Sequence, residues 1–289
     1  MRARLSRGRS LLWALLLPPL LVVLALFVAP LLFLFYVSFM SPSQSELFAH
    51  VATLQNYVEV LSDEFYLLII QRTLLAGAAI LAACLLLGYP VAMVVARMSP
   101  RWRLMMLMVL LFPLMVSNVV RAYGWLTILG REGVINAALM QLGWIPFPLR
   151  MLNTFEAVVL GLLTILLPYM IISIANSLAQ IDKSYEEAAQ SLGAGPIRTF
   201  LHVTWPLSSP GVAAGLALVF FLTLSAYVTI TLLGGPRYKL LVSLVYDSVT
   251  TLQWPRAAAL SFVLLAIALA VGAAIQAALR PQRVQGRGA

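Results

Sequence analysis

Six long runs of apolar residues, separated by short polar segments, dominate this chain. A helix needs about 20 apolar residues to cross the hydrocarbon core of a bilayer, and these runs reach about that length with almost no charge. The third run continues past Arg121 as far as Leu129, so we expect a single longer span there. The pattern predicts six membrane-spanning helices, within residues 11–39, 67–96, 104–120, 157–180, 211–233 and 257–279.

The composition is that of a membrane protein. Hydrophobic residues make up 62% of the chain, charged residues make up 10%, and the mean hydropathy is +0.97, whereas soluble domains contain about 25% charged residues. The first run is too long for a signal peptide, whose apolar core has about 7–15 residues, so we expect it to be retained. We predict an all-α polytopic membrane protein with a basic N-terminus at residues 1–10, one six-helix domain at residues 11–279 and a C-terminal tail at residues 280–289.

The basic residues indicate how the helices are oriented, because Lys and Arg in short loops stay on the cytoplasmic side. If the N-terminus is cytoplasmic, most basic loop residues fall on the same side, including Arg97, Arg101, Arg103, Lys183, Arg198, Arg280, Arg283 and Arg287. Both termini are therefore predicted to be cytoplasmic. The net charge of +9 reflects this topology and would also favour contact with anionic lipids, and it does not indicate binding to nucleic acid.

A polar segment at residues 181–209 lies between the fourth and fifth runs, on the predicted cytoplasmic side. Ser184 and Glu187 have the spacing of a capping box, which predicts the start of a short helix. Gly193 predicts the end of that helix. A Gly-Pro pair then predicts the start of a second helix, which we expect to end at Pro206. The segment is thus predicted to form an elbow of two short helices.

Both helices of this elbow are predicted to be amphipathic. Their apolar positions recur at helical spacing, at Tyr185, Ala188, Ala189 and Leu192 in the first helix and at Ile197, Phe200, Leu201 and Thr204 in the second. Two interpretations are open from these residues alone. The elbow could lie as an amphipathic segment on the membrane surface, or it could bind a soluble partner.

The elbow resembles the EAA loop of type I ABC importer permeases. Glu187, Ala188 and Ala189 are followed after three residues by Gly193, and nine further residues lead to Val-Thr-Trp and then Pro206. The family has Ile and Leu where this chain has Val and Trp, so the hydrophobic character is retained. The resemblance implies the type I ABC importer permease fold and a coupling helix that docks on a cytoplasmic ATPase. The residues it assigns to this coupling are Glu186, Glu187, Ala188, Ala189, Gly193 and Pro206.

Other segments are similar to permeases of the spermidine/putrescine type. They are Val120 to Trp125, Leu129 to Asn136, the pair Asn56-Tyr57 and the triplet Gly88-Tyr89-Pro90. This resemblance implies the bacterial cytoplasmic membrane as the location and polyamines or a related small solute as the cargo. It further implies three kinds of partner: a cytoplasmic ABC ATPase homodimer that holds ATP and Mg, an extracytoplasmic solute-binding protein, and a second permease. We expect a heterodimer of permeases, although pairing with its own copy is an open alternative.

The sequence offers no catalytic or cofactor site. A P-loop requires a lysine after glycine, and neither Lys183 nor Lys239 follows one. His50 and His202 are the only histidines, which is too few for a histidine-rich metal site. We therefore predict a non-catalytic subunit without a bound metal or cofactor. Two alternatives remain: a self-contained secondary transporter, disfavoured because no acidic residue lies deep in a run, and a receptor or scaffold.

Candidate solute contacts lie near the predicted outer ends of the spans. The residues singled out are Arg121, Tyr123, Trp125, Tyr227, Tyr246 and Asp247, with Ser117, Asn118, Thr229 and Thr231 as further polar groups. An arginine at such a position either extends to the interface or lines a polar passage. Tyr246 and Asp247 would suit an ammonium group. Bonding between helices is the alternative role for the hydroxyl groups, and it is the one we expect for Ser225 and Ser261.

Overall fold

Long helices account for most of the described chain, residues 17–43 and 46–279 of this computed structural model. The predictions for residues 1–10 and 280–289 fall outside these residues. The helices are α1 Leu17–Ser38, α2 Gln55–Ser62, α3 Glu64–Arg97, α4 Pro100–Met115, α5 Asn118–Leu129, α6 Val134–Gln141, α7 Phe155–Leu178, α8 Lys183–Ser191, α9 Pro196–Ser225, α10 Tyr227–Gly234, α11 Leu241–Thr250 and α12 Trp254–Ala278.

Five of these helices, α1, α3, α7, α9 and α12, are long and apolar enough to cross a membrane. A sixth span arises if α4 and the segment Asn118–Gln141 are counted together as one broken span. The described chain is therefore all-α and polytopic, apart from one short hairpin of two antiparallel strands, Met40–Ser41 and Ala49–Ala52.

The third run is not the continuous helix that was predicted. It breaks between α4 and α5, and the angle between α4 and the segment Asn118–Gln141 is 86°. Pro113 lies in a 3₁₀ turn that ends α4, Val116 is extended, and the Ser117 hydroxyl caps α5 by accepting a hydrogen bond from the amide of Val119 at 3.3 Å. Hydropathy measures only apolar length, so it did not indicate the break at Pro113 and Ser117, and this run forms one span only as a broken pair of helices.

The fifth run also differs from the prediction. The second elbow helix does not end at Pro206, because α9 runs without interruption from Pro196 to Ser225. Pro206 is accommodated at the start of an α-helical stretch that follows a wider π-turn at Phe200–Thr204. At the other end the chain breaks at Ala226 before α10 begins. Proline has no N–H to donate, so Pro206 removes one backbone hydrogen bond from the continuous α9, and the wider π-turn directly before it is where the helix geometry changes.

The described chain divides into two compact units. The first contains the described residues up to Leu67 together with Leu244–Val263. Within it, the buried amide of Asn56 donates to the carbonyls of Ser38 and Met40 at 3.0 and 2.9 Å, and Arg256 pairs with Glu59 at 3.4 Å. The bonds of Asn56 hold α2 against the end of α1, and the ion pair joins α2 to α12.

The second unit contains Leu68–Ser243 and the described residues from Leu264 onward. Its centre is the crossing of α7 and α9, where Gly211 and Gly215 face Ser173, Ser177 and Met170. The Ser173 hydroxyl donates to the carbonyl of Gly211 at 2.9 Å. These small residues let the backbones of α7 and α9 approach each other closely.

The embedded cysteine and two of the embedded serines make their contacts within the chain. Cys84 is fully buried. Ser225 and Ser261 were expected to bond between helices, and this was wrong: each donates to a carbonyl of its own helix, at Leu222 and Ala257 respectively. A serine in a helix can always reach the carbonyl one turn earlier, so a hydroxyl alone does not indicate a contact between helices.

Candidate coupling elbow and solute cavity

The first elbow helix, α8, begins at a different cap from the one predicted. Asp182 is the N-cap, and its carboxylate accepts a hydrogen bond from the amide of Ser184 at 2.9 Å. The Ser184–Glu187 capping box was therefore wrong. Asp and Ser are equally good caps, and the two candidates stand only two positions apart, so the sequence pattern did not discriminate between them.

The cap of α8 gives it a dependence on pH. The hydrogen bond from Ser184 lowers the pKa of the Asp182 carboxyl below its ordinary 3.8. A lowered pKa in the folded state means that the stabilisation is present above the ordinary pKa and is lost as the pH falls through the lowered one. Asparagine can accept the same bond without titrating. We therefore expect Asp182→Asn to remove an acid-induced loosening of α8.

This prediction is checked by hydrogen exchange of the first α8 amides, corrected for intrinsic exchange rates, between about pH 5 and pH 3. The unmodified chain should lose protection towards the acid end, and Asp182→Asn should retain it. The same acid-induced loss in both proteins would contradict the assignment of Asp182 as the titrating cap.

The turn of the elbow is formed as predicted. Gly193 has a φ of +83°, a conformation that other residues rarely adopt. Its amide bonds the carbonyl of Gln190 at 2.9 Å, and the amide of Ala194 bonds that of Ala189 at 3.0 Å. These paired bonds form a Schellman motif. Gly195 then caps α9, and Pro196 occupies its first turn. Glycine and proline thus determine the direction in which the chain leaves α8.

Glu186 connects three parts of the second unit. Its carboxylate lies 2.8 Å from Nη2 of Arg97, at the end of α3, and it accepts a hydrogen bond from the hydroxyl of Thr204 at 2.9 Å. Thr204 belongs to the π-turn in α9 and is 3% exposed. We call Arg97, Glu186 and Thr204 the elbow clamp. The carboxylate is committed to contacts within the chain, so Glu186 holds the elbow to α3 and α9.

The elbow clamp was not predicted from the sequence. By sequence, Arg97 is one of many charges predicted to be cytoplasmic, and Thr204 is part of a predicted apolar stripe. The contacts join residues 89 and 18 positions apart, which no helical periodicity relates. The pairing of Thr204 with Glu186 can be recognised only once the folded elbow places the buried hydroxyl beside the carboxylate.

The outer face of the elbow is apolar and uncovered. Leu192 is 90% exposed and Ile197 is 75% exposed, with Tyr185 and Leu201 also exposed. Glu187 and Ala188 are exposed on the same short helix, whereas Ala189 is partly covered. Large apolar side chains clustered at this exposure are typical of surfaces that bind another molecule. The predicted coupling residues therefore separate into an exposed group around Glu187 and Ala188 and an internal one around Glu186.

A separate cavity of about 240 Å³ lies among α5, α7, α10 and the ends of α4 and α9. Arg121 lines it, and so do the polar residues Asn118, Tyr169, Ser225, Tyr227 and Thr229. The structure thereby brings together four residues that the sequence analysis proposed as solute contacts, namely Arg121, Asn118, Tyr227 and Thr229. Their role in binding solute stays a prediction.

The remaining candidate solute contacts lie elsewhere. The Trp125 indole donates to the hydroxyl of Thr164 at 3.1 Å, and Tyr123 is 56% exposed; neither is among the residues that line the cavity. Tyr246 and Asp247 lie in α11 and belong to the first unit. Within residues 17–43 and 46–279, no three His, Cys, Asp or Glu side chains are close enough to hold a metal ion.

The chain has clear relatives among known proteins. Residues 85–284 match the family described as binding-protein-dependent transport system inner membrane component. The spermidine/putrescine transport system permease protein PotB of Escherichia coli is 33% identical over 243 residues, which cover 83% of this chain and 88% of that protein. PotB of Haemophilus influenzae is 31% identical over 233 residues, covering 80% and 81% respectively.

The fold has solved counterparts. A chain from a bacterial ABC transporter involved in the import of the acidic polysaccharide alginate aligns with a TM-score of 0.75, over 98% of this chain and all of that one. A second structure, of an alginate ABC transporter in complex with a periplasmic protein that holds an alginate pentasaccharide, aligns with a TM-score of 0.73. Both are 20% identical to this chain, so the shared property is the fold.

Proposed function

Because the chain belongs to the inner membrane components of binding-protein-dependent transport systems, we propose that it couples a separate cytoplasmic ATPase to solute passage through its elbow. The observation that carries this proposal is the uncovered apolar face around Leu192 and Ile197. The elbow that presents this face is held rigidly by the Schellman turn and the elbow clamp. A rigid, exposed apolar surface suits a docking site for another protein.

The mechanism follows from how the elbow is attached. Its second helix continues directly into the span α9, and Glu186 ties its first helix to the end of α3. Closure of the bound ATPase would therefore move both helices together. The helices would alternately open a solute route on opposite sides of the membrane, with no covalent chemistry on this chain. In this proposal ATP and Mg are bound by the ATPase homodimer, and the permease binds no cofactor.

The remaining partners and the orientation belong to the same proposal. A second permease completes the membrane domain, and we propose a heterodimer of permeases. An extracytoplasmic binding protein delivers the solute. This arrangement requires the elbow to face the cytoplasm, in agreement with the uneven distribution of Lys and Arg that predicts cytoplasmic termini.

We propose polyamines or a related small solute as the cargo. The names of the PotB relatives support this class, because both refer to spermidine and putrescine transport. Tyr246 and Asp247 in α11 would be suited to an ammonium group, as an aromatic face and a carboxylate both attract one. The proposal for the cargo is independent of the proposal for coupling.

The coupling proposal is tested by placing a charge on the docking surface. We expect Leu192→Glu to weaken recruitment of the ATPase about tenfold or more, since it puts a carboxylate where an apolar contact would be buried. The side chain is 90% exposed, so the permease itself should still fold. Recruitment is measured by purifying the assembled complex, and transport by uptake into vesicles that contain it.

The matched control for this test is Leu192→Met, which keeps an apolar side chain of similar size and should preserve both recruitment and uptake. Unchanged recruitment by Leu192→Glu would refute the docking surface. The secondary-transporter alternative makes the opposite forecast, namely that the permease alone moves solute down an imposed ion gradient.

A further inference from the structure

Two arginines share a small cavity just before α7 begins, at the end of this helix that lies opposite the elbow. The cavity has a volume of about 250 Å³, and the residues that line it are Leu129, Arg131, Arg150, Met151, Leu152 and Asn153. Glu132, the neighbour of Arg131 in sequence, is exposed and does not line the cavity. Among the described residues, neither arginine forms an ion pair or a side-chain hydrogen bond. Two positive charges therefore meet in a cavity whose walls hold no carboxylate.

A buried asparagine brings the two arginines to this cavity. Asn136 is fully buried, and its side-chain amide donates to the carbonyls of Gly130 and Leu149 at 2.9 and 3.0 Å. Its side-chain oxygen accepts a hydrogen bond from the amide of Leu149 at 2.8 Å. Gly130 and Leu149 directly precede Arg131 and Arg150 in the chain. One side chain thus fixes the backbone next to both arginines, so the fold itself builds the cavity.

Residues 142–149, which lead to Arg150, form an apolar segment at the surface. Trp144 is 74% exposed, Phe147 is 72% exposed and Leu142 is 63% exposed. The span α7 begins shortly after this segment. Aromatic side chains close to the end of a span are typical of the interface between the lipid chains and water, where their rings lie among the headgroups. The two arginines are therefore expected at the depth of the lipid phosphates.

We propose that this cavity binds the phosphate of an anionic phospholipid and that the apolar segment lies in the lipid interface beside it. The phosphate carries the negative charge that the walls of the cavity lack, and each guanidinium can donate several N–H groups to its oxygens. The exposed rings of Trp144 and Phe147 favour a lipid over an acidic protein as the occupant. A membrane always surrounds them, whereas a soluble partner would leave them in water whenever it dissociated.

A bound lipid would act on more than the loop that holds it. The amide of Asn153, in the wall of the cavity, donates to the carbonyl of Leu233 at 2.8 Å. Leu233 belongs to α10, whose first residues line the cavity around Arg121. The lipid site is thus joined by a direct hydrogen bond to a helix of the candidate solute cavity. The inference goes beyond the proposed function, and neither the cargo nor the ATPase enters it.

The test is photo-crosslinking of the full chain in vesicles of phosphatidylcholine. The vesicles contain a trace of phosphatidylglycerol with a photoreactive group near its glycerol, or of phosphatidylcholine modified in the same way. Mass spectrometry of the peptides locates the labels. We expect the anionic probe to label residues 142–153 about fivefold or more above the zwitterionic one. The double variant Arg131→Gln with Arg150→Gln should lose this preference, because it removes both positive charges.

Two further variants serve as controls. Arg101→Gln removes an exposed arginine that lies in the first turn of α4 and does not line the cavity, so it should leave the labelling of residues 142–153 unchanged. Arg131→Lys with Arg150→Lys keeps both charges and should keep most of the preference. Both arginines are exposed, so the variants should fold, and an unchanged midpoint of thermal unfolding checks this.

Equal labelling by the two probes in the unmodified chain would overturn the proposal, and so would an unchanged preference in the double glutamine variant. An excess of inorganic phosphate, at matched ionic strength, should not reduce the labelling; if it does, the cavity takes free phosphate and the lipid assignment is wrong. The assignment is also wrong if the glutamine variants weaken binding of the extracytoplasmic binding protein while lipid labelling persists. None of these measurements requires solute or ATP, so their failure would leave the proposed function intact.

Discussion

Reversing the charge of Glu186 with Glu186→Arg is expected to lower solute uptake by roughly tenfold or more, because it breaks the elbow clamp. The new arginine would face Arg97 at the distance where the carboxylate now lies, 2.8 Å from Nη2. Thr204, which is almost fully buried, would lose its acceptor. The elbow could then move without displacing α3, so ATP hydrolysis should continue while uptake falls. Both rates are measured in vesicles that contain the assembled importer.

The decisive control for this experiment is the exchanged pair Arg97→Glu with Glu186→Arg. It restores an ion pair between the same two positions, and the Thr204 hydroxyl can accept a hydrogen bond from the new arginine. Uptake should largely recover. An ion pair on this partly exposed surface contributes little to stability, so recovery would report on coupling and not on folding. Normal uptake by Glu186→Arg alone, or no recovery in the exchanged pair, would contradict the proposal that the elbow clamp transmits movement.

The second large effect is expected from Gly211→Ala, which should destabilise the permease by about 1–3 kcal/mol. A Cβ at this position would overlap the side chain of Ser177 and lie 3.0 Å from the carbonyl of Ser173. Alanine is otherwise the better helix former by about 1 kcal/mol, so the overlap has to outweigh that gain. The midpoint of thermal unfolding in detergent measures the result.

Gly124→Ala is the matched control, because it makes the same substitution within α5, where a Cβ would meet nothing within 4 Å. It should leave the midpoint unchanged or raise it. If the two variants unfold at the same temperature, the close crossing of α7 and α9 does not depend on glycine at position 211.

The parts of the elbow that the sequence predicted are those determined by local chemistry. Gly193 and Pro196 act through their own backbone geometry, so their effects are visible within a few residues. The prediction that Pro206 ends a helix was wrong, because proline also occurs near the start of α-helical stretches. Here Pro206 follows the π-turn at Phe200–Thr204. The elbow clamp depends on Arg97 and Glu186 meeting in space, which no local pattern encodes.

The cavity around Arg121 shows the same contrast between local features, which were predicted, and contacts in space, which were not. Arg121, Tyr227 and Thr229 were recognised as unusual because polar groups in apolar runs are conspicuous. Their common cavity could not be foreseen, since it requires α5 to turn away from α4 and the chain to break at Ala226. Both breaks lie inside runs that hydropathy treats as continuous.

The uninterrupted course of α9 has a mechanical consequence. Its 30 residues make a rod about 45 Å long at about 1.5 Å per residue, with the elbow turn at one end and Ser225 at the other. Tilting such a rod by about 10° about its cytoplasmic end would carry the far end through about 8 Å. Leu222 and Ser225, at that far end, are part of the wall around Arg121. A small movement of the elbow would therefore become a larger displacement at the wall of this cavity.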